Sequence, residues 1–173
     1  MRIRNYLSQE QADNLFSSYI MSPLTHCPLI WMFCSKPAHN MLHKTQYKAL
    51  RARFNDFSSS CEKLLERAES CDIHTRNLRL LMAEIYKTLN RSNAIIMWDS
   101  FDLKVPNKYE LRRGRNLITP KAGTTKALNS FDFRAAMAWN HLSLSVKSAN
   151  NITTFMKLLK NENIYCRCLM CRL

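Results

Sequence analysis

Apolar residues recur at helical spacing through much of this chain of 173 residues. The longest stripe follows the pattern i, i+3, i+4, i+7, i+8 and i+11 and consists of Leu78, Leu81, Met82, Ile85, Tyr86 and Leu89. Such a stripe is typical of an amphipathic helix with one face in the core. Asp72 can cap the start of this helix, and Asn90 can end it in a left-handed conformation. Together with the low count of only two glycines, the pattern predicts a mainly α fold.

Further helices are predicted in the first half of the chain. Ser8-x-x-Gln11 is a capping box, and Pro23 either breaks the helix behind it or starts the next one. The apolar run Leu29–Phe33 follows and is predicted to be buried. A basic helix is predicted over residues 39–54, with four cations on its outer side, namely Lys44, Lys48, Arg51 and Arg53. Ser59-x-x-Glu62 is a second capping box and predicts a short helix after it.

The periodicity changes after Pro106. Tyr109–Ile118 and Thr124–Phe133 are weakly strand-like, and the linker between them contains Pro120 and Gly123. A two-stranded ribbon is stable only when it packs on other elements, so we expect it to lie on helices. The sequence therefore predicts a small helical bundle with a short two-stranded β ribbon near residues 109–133.

The last part of the chain returns to helical spacing. Helices are predicted over residues 134–140 and 151–161, followed by a cysteine-rich tail. Trp139 can stack on a base, but a tryptophan among alanines and a methionine favours the core. The predicted domains are a helical thumb-like region at 1–103, a region with the basic ribbon and C-terminal helix at 104–163, and the tail at 164–173.

Positive charge is concentrated in one tract. The chain carries a formal net charge of +13, and Lys104–Lys126 contains seven Lys or Arg against one Glu, a net charge of +6. Charge of this density favours a polyanion, with RNA or DNA considered first and an anionic membrane second; a merely solvated basic face is the plain alternative. Guanidinium groups bind phosphates bidentately, and a tyrosine can stack on a base. The predicted nucleic-acid-binding residues are Tyr109, Arg112, Arg113, Arg115, Lys121 and Lys126.

Cysteine and histidine spacing offers one candidate metal site. Cys166, Cys168 and Cys171 place three of the seven cysteines within six residues, and Cys168-x-x-Cys171 has a zinc-chelating spacing. A fourth ligand would be His141 or a residue of a second chain; the alternative is a frayed tail with thiols. His39 and His43 lie at i and i+4, but a surface role is favoured because no catalytic Glu follows His39. Apart from this zinc, no cofactor is expected.

Neither a membrane segment nor a catalytic constellation is predicted. The most apolar stretch, from Ile20 to Cys34, contains Pro23, His26 and Pro28 and is too short to span a bilayer. The N-terminus lacks the apolar core of a signal peptide, so an intracellular protein, nuclear or cytoplasmic, is expected. Two-metal polymerases and nucleases need clustered carboxylates, and this chain has no Asp-Asp pair.

Several short strings, taken in order, resemble one protein family. They are Tyr19-Ile20-Met21, Cys27-Pro28-Leu29-Ile30-Trp31-Met32-Phe33, Lys48-Ala49-Leu50-Arg51, Asn77-Leu78-Arg79-Leu80-Leu81-Met82, Glu84-Ile85-Tyr86-Lys87, Tyr109-x-Leu111-Arg112, Phe133-Arg134 and Trp139-Asn140, with the terminal cysteines. The chain is thereby similar to the C-terminal, thumb and post-thumb region of endonuclease–reverse transcriptases of non-LTR (LINE-type, jockey-like) retrotransposons. At Ser143 the chain departs from that family, which usually has proline there.

The resemblance implies contact with template RNA, primer or target DNA. The family is an RNA-directed DNA polymerase, but its palm, with the aromatic-x-Asp-Asp motif, and its endonuclease domain are absent from this sequence. We therefore expect a non-catalytic fragment that binds nucleic-acid backbone and possesses no activity of its own. The palm of the parent polymerase would be a second partner. The alternative is a helical interaction module that docks onto a separate polymerase or another protein.

Overall fold

The computed structural model describes residues 6–90, 116–166 and 168. Within these ranges the chain is mainly helical, as predicted, and no strand occurs. The chain divides into two compact units, Met1–Asn77 (unit 1) and Leu78–Leu173 (unit 2). The predicted domain boundary after residue 103 lies outside the described residues and stays a prediction.

Unit 1 is built from short helices around one long helix. Its elements are α1 (Gln9–Leu15), a π-helical segment (Phe16–Met21), α2 (Ser22–Thr25), α3 (Pro28–Trp31), α4 (Lys36–Phe54), α5 (Cys61–Arg67) and the first turn of α6 (Ile73–Leu89). The capping box at Ser8 is present in full. The Gln11 backbone amide donates to the Ser8 hydroxyl, and the Ser8 backbone amide donates to the Gln11 side-chain oxygen. Pro23 lies at the start of α2, where its missing N–H is tolerated.

The predicted caps of α5 and α6 have different outcomes. α5 is capped by Ser60, whose hydroxyl accepts from the Lys63 amide, so the prediction of a box at Ser59 is wrong by one residue. The Asp72 carboxylate accepts from the Thr75 amide at 3.1 Å and from the Thr75 hydroxyl at 2.6 Å, which confirms Asp72 as the cap of α6.

The apolar run Leu29–Phe33 is only partly buried. Met32 is 3% exposed, but Ile30 is 85% exposed, so the prediction of a buried run is wrong at its centre. The run forms α3 and the turn after it, and a helix of this length cannot turn every side chain inward.

The core of unit 1 uses polar side chains. α4 buries His39, Gln46 and Leu50. The Gln46 amide donates to the Cys71 carbonyl at 3.1 Å and accepts from the Ile73 amide at 3.2 Å, which ties α4 to the start of α6. The surface role expected for His39 is wrong, because its ring is buried edge-on against His74 with centroids 5.5 Å apart.

In its described residues, unit 2 contains the rest of α6 and four further helices, α7 (Thr125–Leu128), α8 (Phe131–His141), α9 (Leu144–Lys147) and α10 (Ile152–Leu159). The predicted α6 stripe is confirmed, since all its members are buried except the half-buried Leu89. Trp139 and Phe155 are fully buried, as predicted for Trp139. Phe155 stacks on Tyr86 with centroids 4.4 Å apart, and the Tyr86 hydroxyl donates to the Ala149 carbonyl at 2.6 Å.

The prediction of a β ribbon is wrong in the part that the structure describes. Residues 109–115 lie outside the described residues, and residues 116–123 form neither helix nor strand. The predicted strand Thr124–Phe133 is instead α7 and the start of α8. The Thr124 hydroxyl accepts from the Ala127 amide, and the Ser130 hydroxyl accepts from the Phe133 amide. Both cap residues have the extended backbone of a strand, but each starts a helix.

None of the helices within the described part of the chain combines the length and apolar character needed to cross a bilayer.

Candidate nucleic-acid interface

Helix α4 is strongly basic along its whole length. Its 19 residues include five Lys or Arg and neither Asp nor Glu. Pro37 lies in its first turn, where the fixed φ of proline suits a helix start, and Asn55 ends it in the left-handed conformation at φ 51°. The predicted basic helix over residues 39–54 is therefore confirmed, with a start three residues earlier.

One side of α4 carries two exposed lysines and a half-buried arginine. Lys44, Lys48 and Arg51 follow the spacing i, i+4 and i+7, which places them on one face, here called the α4 basic face. Both lysines are exposed, and neither forms an ion pair with another residue in the described ranges. Ammonium groups without a protein counter-ion remain available to an anionic ligand.

The third member of the α4 basic face is held in place. The Arg51 guanidinium donates to the Tyr47 hydroxyl at 2.6 Å and lies 4.1 Å from the centre of the Tyr47 ring. The Tyr47 hydroxyl in turn donates to the Ser59 carbonyl at 2.8 Å. A guanidinium fixed in this way loses less conformational entropy when it meets a phosphate.

Arg53 has a structural role instead of the predicted outward one. Its Nε lies 2.7 Å from an Asp13 carboxylate oxygen. Its guanidinium carbon lies over the rings of Phe16 and Phe54, at 5.2 and 4.9 Å from the ring centroids. The prediction that Arg53 belongs to the outer basic side is therefore wrong. Its charge is already neutralised by Asp13, which is 40 residues away in the chain and could not be identified from the local pattern.

The predicted binding residues are described only in part. Lys121 and Lys126 are exposed in unit 2, and Lys126 lies in α7. Tyr109, Arg112, Arg113 and Arg115 lie outside the described residues. The binding role of all six stays a prediction.

The segment that leads to Lys121 is anchored by Asn140. The Asn140 side chain accepts from the Leu117 amide at 2.7 Å and donates to the Leu117 carbonyl at 2.9 Å, and the Leu117 side chain is buried. Lys147 donates to the Asn116 side chain at 2.8 Å and to the Asn140 carbonyl at 3.0 Å. Burial lowers the pKa of Lys147, and the nearby Glu162 carboxylate opposes this shift. This chain segment thus has a fixed path without regular secondary structure.

Unit 1 also contains a thiol beside an imidazole. The Cys61 sulfur lies 3.9 Å from His43 Nε2, but burial raises the pKa of Cys61, and the Asp72 and Glu62 carboxylates raise it further. A nucleophilic cysteine needs the opposite shift, since the thiolate is the reactive form. This pair therefore lacks the electrostatics of a catalytic dyad.

The structure brings two of the predicted metal ligands together. Cys166 and Cys168 are both buried, and their sulfurs lie within 4.8 Å of each other. Cys171 lies outside the described residues. His141, the predicted fourth ligand, is exposed and its ring lies 5.5 Å from that of Tyr165.

Comparison with known proteins gives no match for this chain, whether against protein-family models, curated proteins or solved structures.

Proposed function

We propose that the chain binds the phosphate backbone of RNA or DNA and has no catalytic activity of its own. The observation that carries this proposal is the α4 basic face. Here two exposed lysines, which have no counter-ion among the described residues, share one side of an acid-free helix with a fixed arginine. The formal net charge of +13 supports the same class of partner.

Each unit by itself carries cations that can contact phosphates. In unit 1 these are Lys44, Lys48 and Arg51, and in unit 2 they include the exposed Lys121 and Lys126. The proposal extends to Tyr109, Arg112, Arg113 and Arg115 on the strength of the sequence alone. Contacts of this kind position a protein on nucleic acid without reading its sequence, so little base specificity is expected.

The resemblance to the thumb and post-thumb region of non-LTR retrotransposon reverse transcriptases favours the same function. A thumb holds the template and primer rather than reacting with them, which agrees with a basic helical surface. On this proposal the chain acts as the nucleic-acid-holding part of such a polymerase.

Salt dependence tests the proposal directly. Each protein cation that neutralises a phosphate adds about 0.9 to the slope of log K against log salt on duplex DNA and about 0.7 on a single strand. The double variant K44Q/K48Q should therefore reduce the slope by about 1 to 2. The measurement is fluorescence anisotropy with a labelled RNA strand and a labelled DNA duplex, from about 50 to 200 mM salt.

The matched control is K157Q/K160Q, which removes the same charge from two exposed lysines of unit 2. It should leave the slope closer to the unmodified value. Equal slopes for K44Q/K48Q and the unmodified chain would exclude the α4 basic face, and absence of binding at low salt would refute the function itself.

A second candidate function is docking onto another protein, and one observation favours it. Unit 1 exposes large apolar side chains at Tyr19 (74%), Ile30 (85%) and Met41 (70%), which a partner surface would cover. The test is retention of the purified chain on the catalytic palm of a LINE-type reverse transcriptase. If the chain docks onto the palm, Ile30→Glu should abolish its retention. If the chain instead binds nucleic acid, the same variant should leave nucleic-acid binding unchanged.

A further inference from the structure

The end of the described chain is buried without regular secondary structure. Residues 163–166 form neither helix nor strand, yet Ile164, Cys166 and Cys168 are 7%, 0% and 2% exposed.

The two thiols are close enough to share one metal ion. Their sulfurs lie within 4.8 Å of each other. Zinc–sulfur bonds of about 2.3 Å in a tetrahedral site place two ligand sulfurs about 3.8 Å apart. A change of side-chain torsion within the present backbone path can close the remaining difference.

A metal ion held by the two thiols would stabilise this segment beyond what its apolar burial contributes. Cysteine has a small side chain. Burying one cysteine therefore contributes less folding free energy than burying one leucine or phenylalanine. A structural zinc ion contributes folding free energy directly and fixes the backbone on both sides of its ligands. Two thiolates also neutralise the charge of Zn²⁺, so the ion can be held away from water.

We propose that Cys166 and Cys168 are two ligands of one structural zinc ion in unit 2. Zinc in such sites takes four ligands, and the remaining two come from histidines of the chain or from cysteines other than Cys27 and Cys34. Cys171 is the third ligand that the sequence predicts. This inference is independent of the proposed nucleic-acid binding, since it concerns how the end of unit 2 is held.

Metal content and affinity give the first test. The chain, purified with a non-chelating reductant, should retain one zinc per chain after desalting, as measured by elemental analysis. Cys166→Ser and Cys168→Ser should each lower the zinc affinity by on the order of 100-fold or more in competition with a chromogenic chelator. Binding should also release protons from the thiols, measured in weak buffer.

Matched controls come from two cysteines of unit 1. Cys27 is exposed and Cys34 is half-buried, and Cys27→Ser and Cys34→Ser should leave zinc affinity unchanged. Equal loss in the control variants, or zinc affinity unchanged in the Cys166→Ser/Cys168→Ser double variant, would overturn the proposal. Substituting each histidine in turn then identifies the other ligands.

A measurement on the unmodified chain keeps the proposal testable if the variants do not fold. X-ray absorption at the zinc edge should show at least two sulfur ligands at about 2.3 Å. A shell of nitrogen and oxygen ligands alone, or a chain that binds no zinc under reducing conditions, would refute it. Neither readout depends on RNA or DNA, so failure here leaves the nucleic-acid proposal standing.

Discussion

Helices α4 and α8 show opposite ways of using a helix. α8 has 11 residues and buries six of them, including Trp139 and three alanines. α4 has 19 residues and buries three, of which His39 and Gln46 are polar. A helix buried on most sides specifies the core, whereas a helix with most of its surface in water is available to a partner. The contrast indicates that α8 contributes mainly to the hydrophobic core and that α4 is the candidate binding surface.

The largest expected effect lies at the centre of unit 2. Trp139→Ala should destabilise the fold by about 3–5 kcal/mol, because it leaves a large cavity against Phe155. Urea unfolding followed by far-UV circular dichroism measures the change. Leu158→Ala, at a partly exposed position of α10, should cost less than about 1 kcal/mol; comparable losses in the two variants would contradict a core centred on α8.

The polar core of unit 1 should be the next most sensitive. Gln46→Ala leaves the Cys71 carbonyl and the Ile73 amide without their side-chain partner, at a cost of about 1–3 kcal/mol. Hydrogen exchange at the Ile73 amide should accelerate. Thr45→Ala, on the exposed side of the same helix, is the control. Unchanged exchange at Ile73 would mean that Gln46 does not hold α6 to α4.

The lowered pKa of Lys147 predicts that the stability of the fold depends on pH. Because burial lowers its pKa in the folded chain, the folded chain binds fewer protons than the unfolded chain between that pKa and about 10.4. Stability from this group therefore rises as pH increases through that window. Lys147→Met should remove the rise, so the difference in unfolding free energy between the unmodified chain and the variant should grow from neutral to alkaline pH.

Urea unfolding of both proteins at several pH values measures this difference. Lys160→Met, at an exposed lysine, serves as the control and should show no such trend. A constant difference between the Lys147 variant and the unmodified chain across the window would contradict a lowered pKa.

The smallest effect on stability is expected on the α4 basic face. K44Q/K48Q should change the unfolding free energy by no more than about 0.5 kcal/mol, because both side chains are exposed and lie outside the described ion pairs. The same variant should reduce the salt slope of nucleic-acid binding. Large destabilisation would show that these lysines serve the fold rather than a ligand.

Part of the candidate site was predictable because it follows local rules. The outward direction of Lys44 and Lys48 follows from helical periodicity, and the structure confirms it, whereas Arg51 is half-buried against Tyr47. Arg53 could not be placed from the same pattern, because its partner Asp13 belongs to another helix. The strand predicted at Thr124–Phe133 failed for a local reason: Thr124 and Ser130 are helix caps, whose extended backbone resembles that of a strand.

By itself the sequence determined the mainly helical fold, the α6 stripe, the caps at Ser8 and Asp72 and the basic character of α4. These features were predictable because hydrophobic period, capping and charge depend on residues a few positions apart. Only the tertiary structure decided that His39 and Gln46 are buried and that Lys147 is enclosed by Asn116 and Asn140. Side chains meet most of these partners only after folding, because Asn116 and the partners of Gln46 lie tens of residues away along the chain.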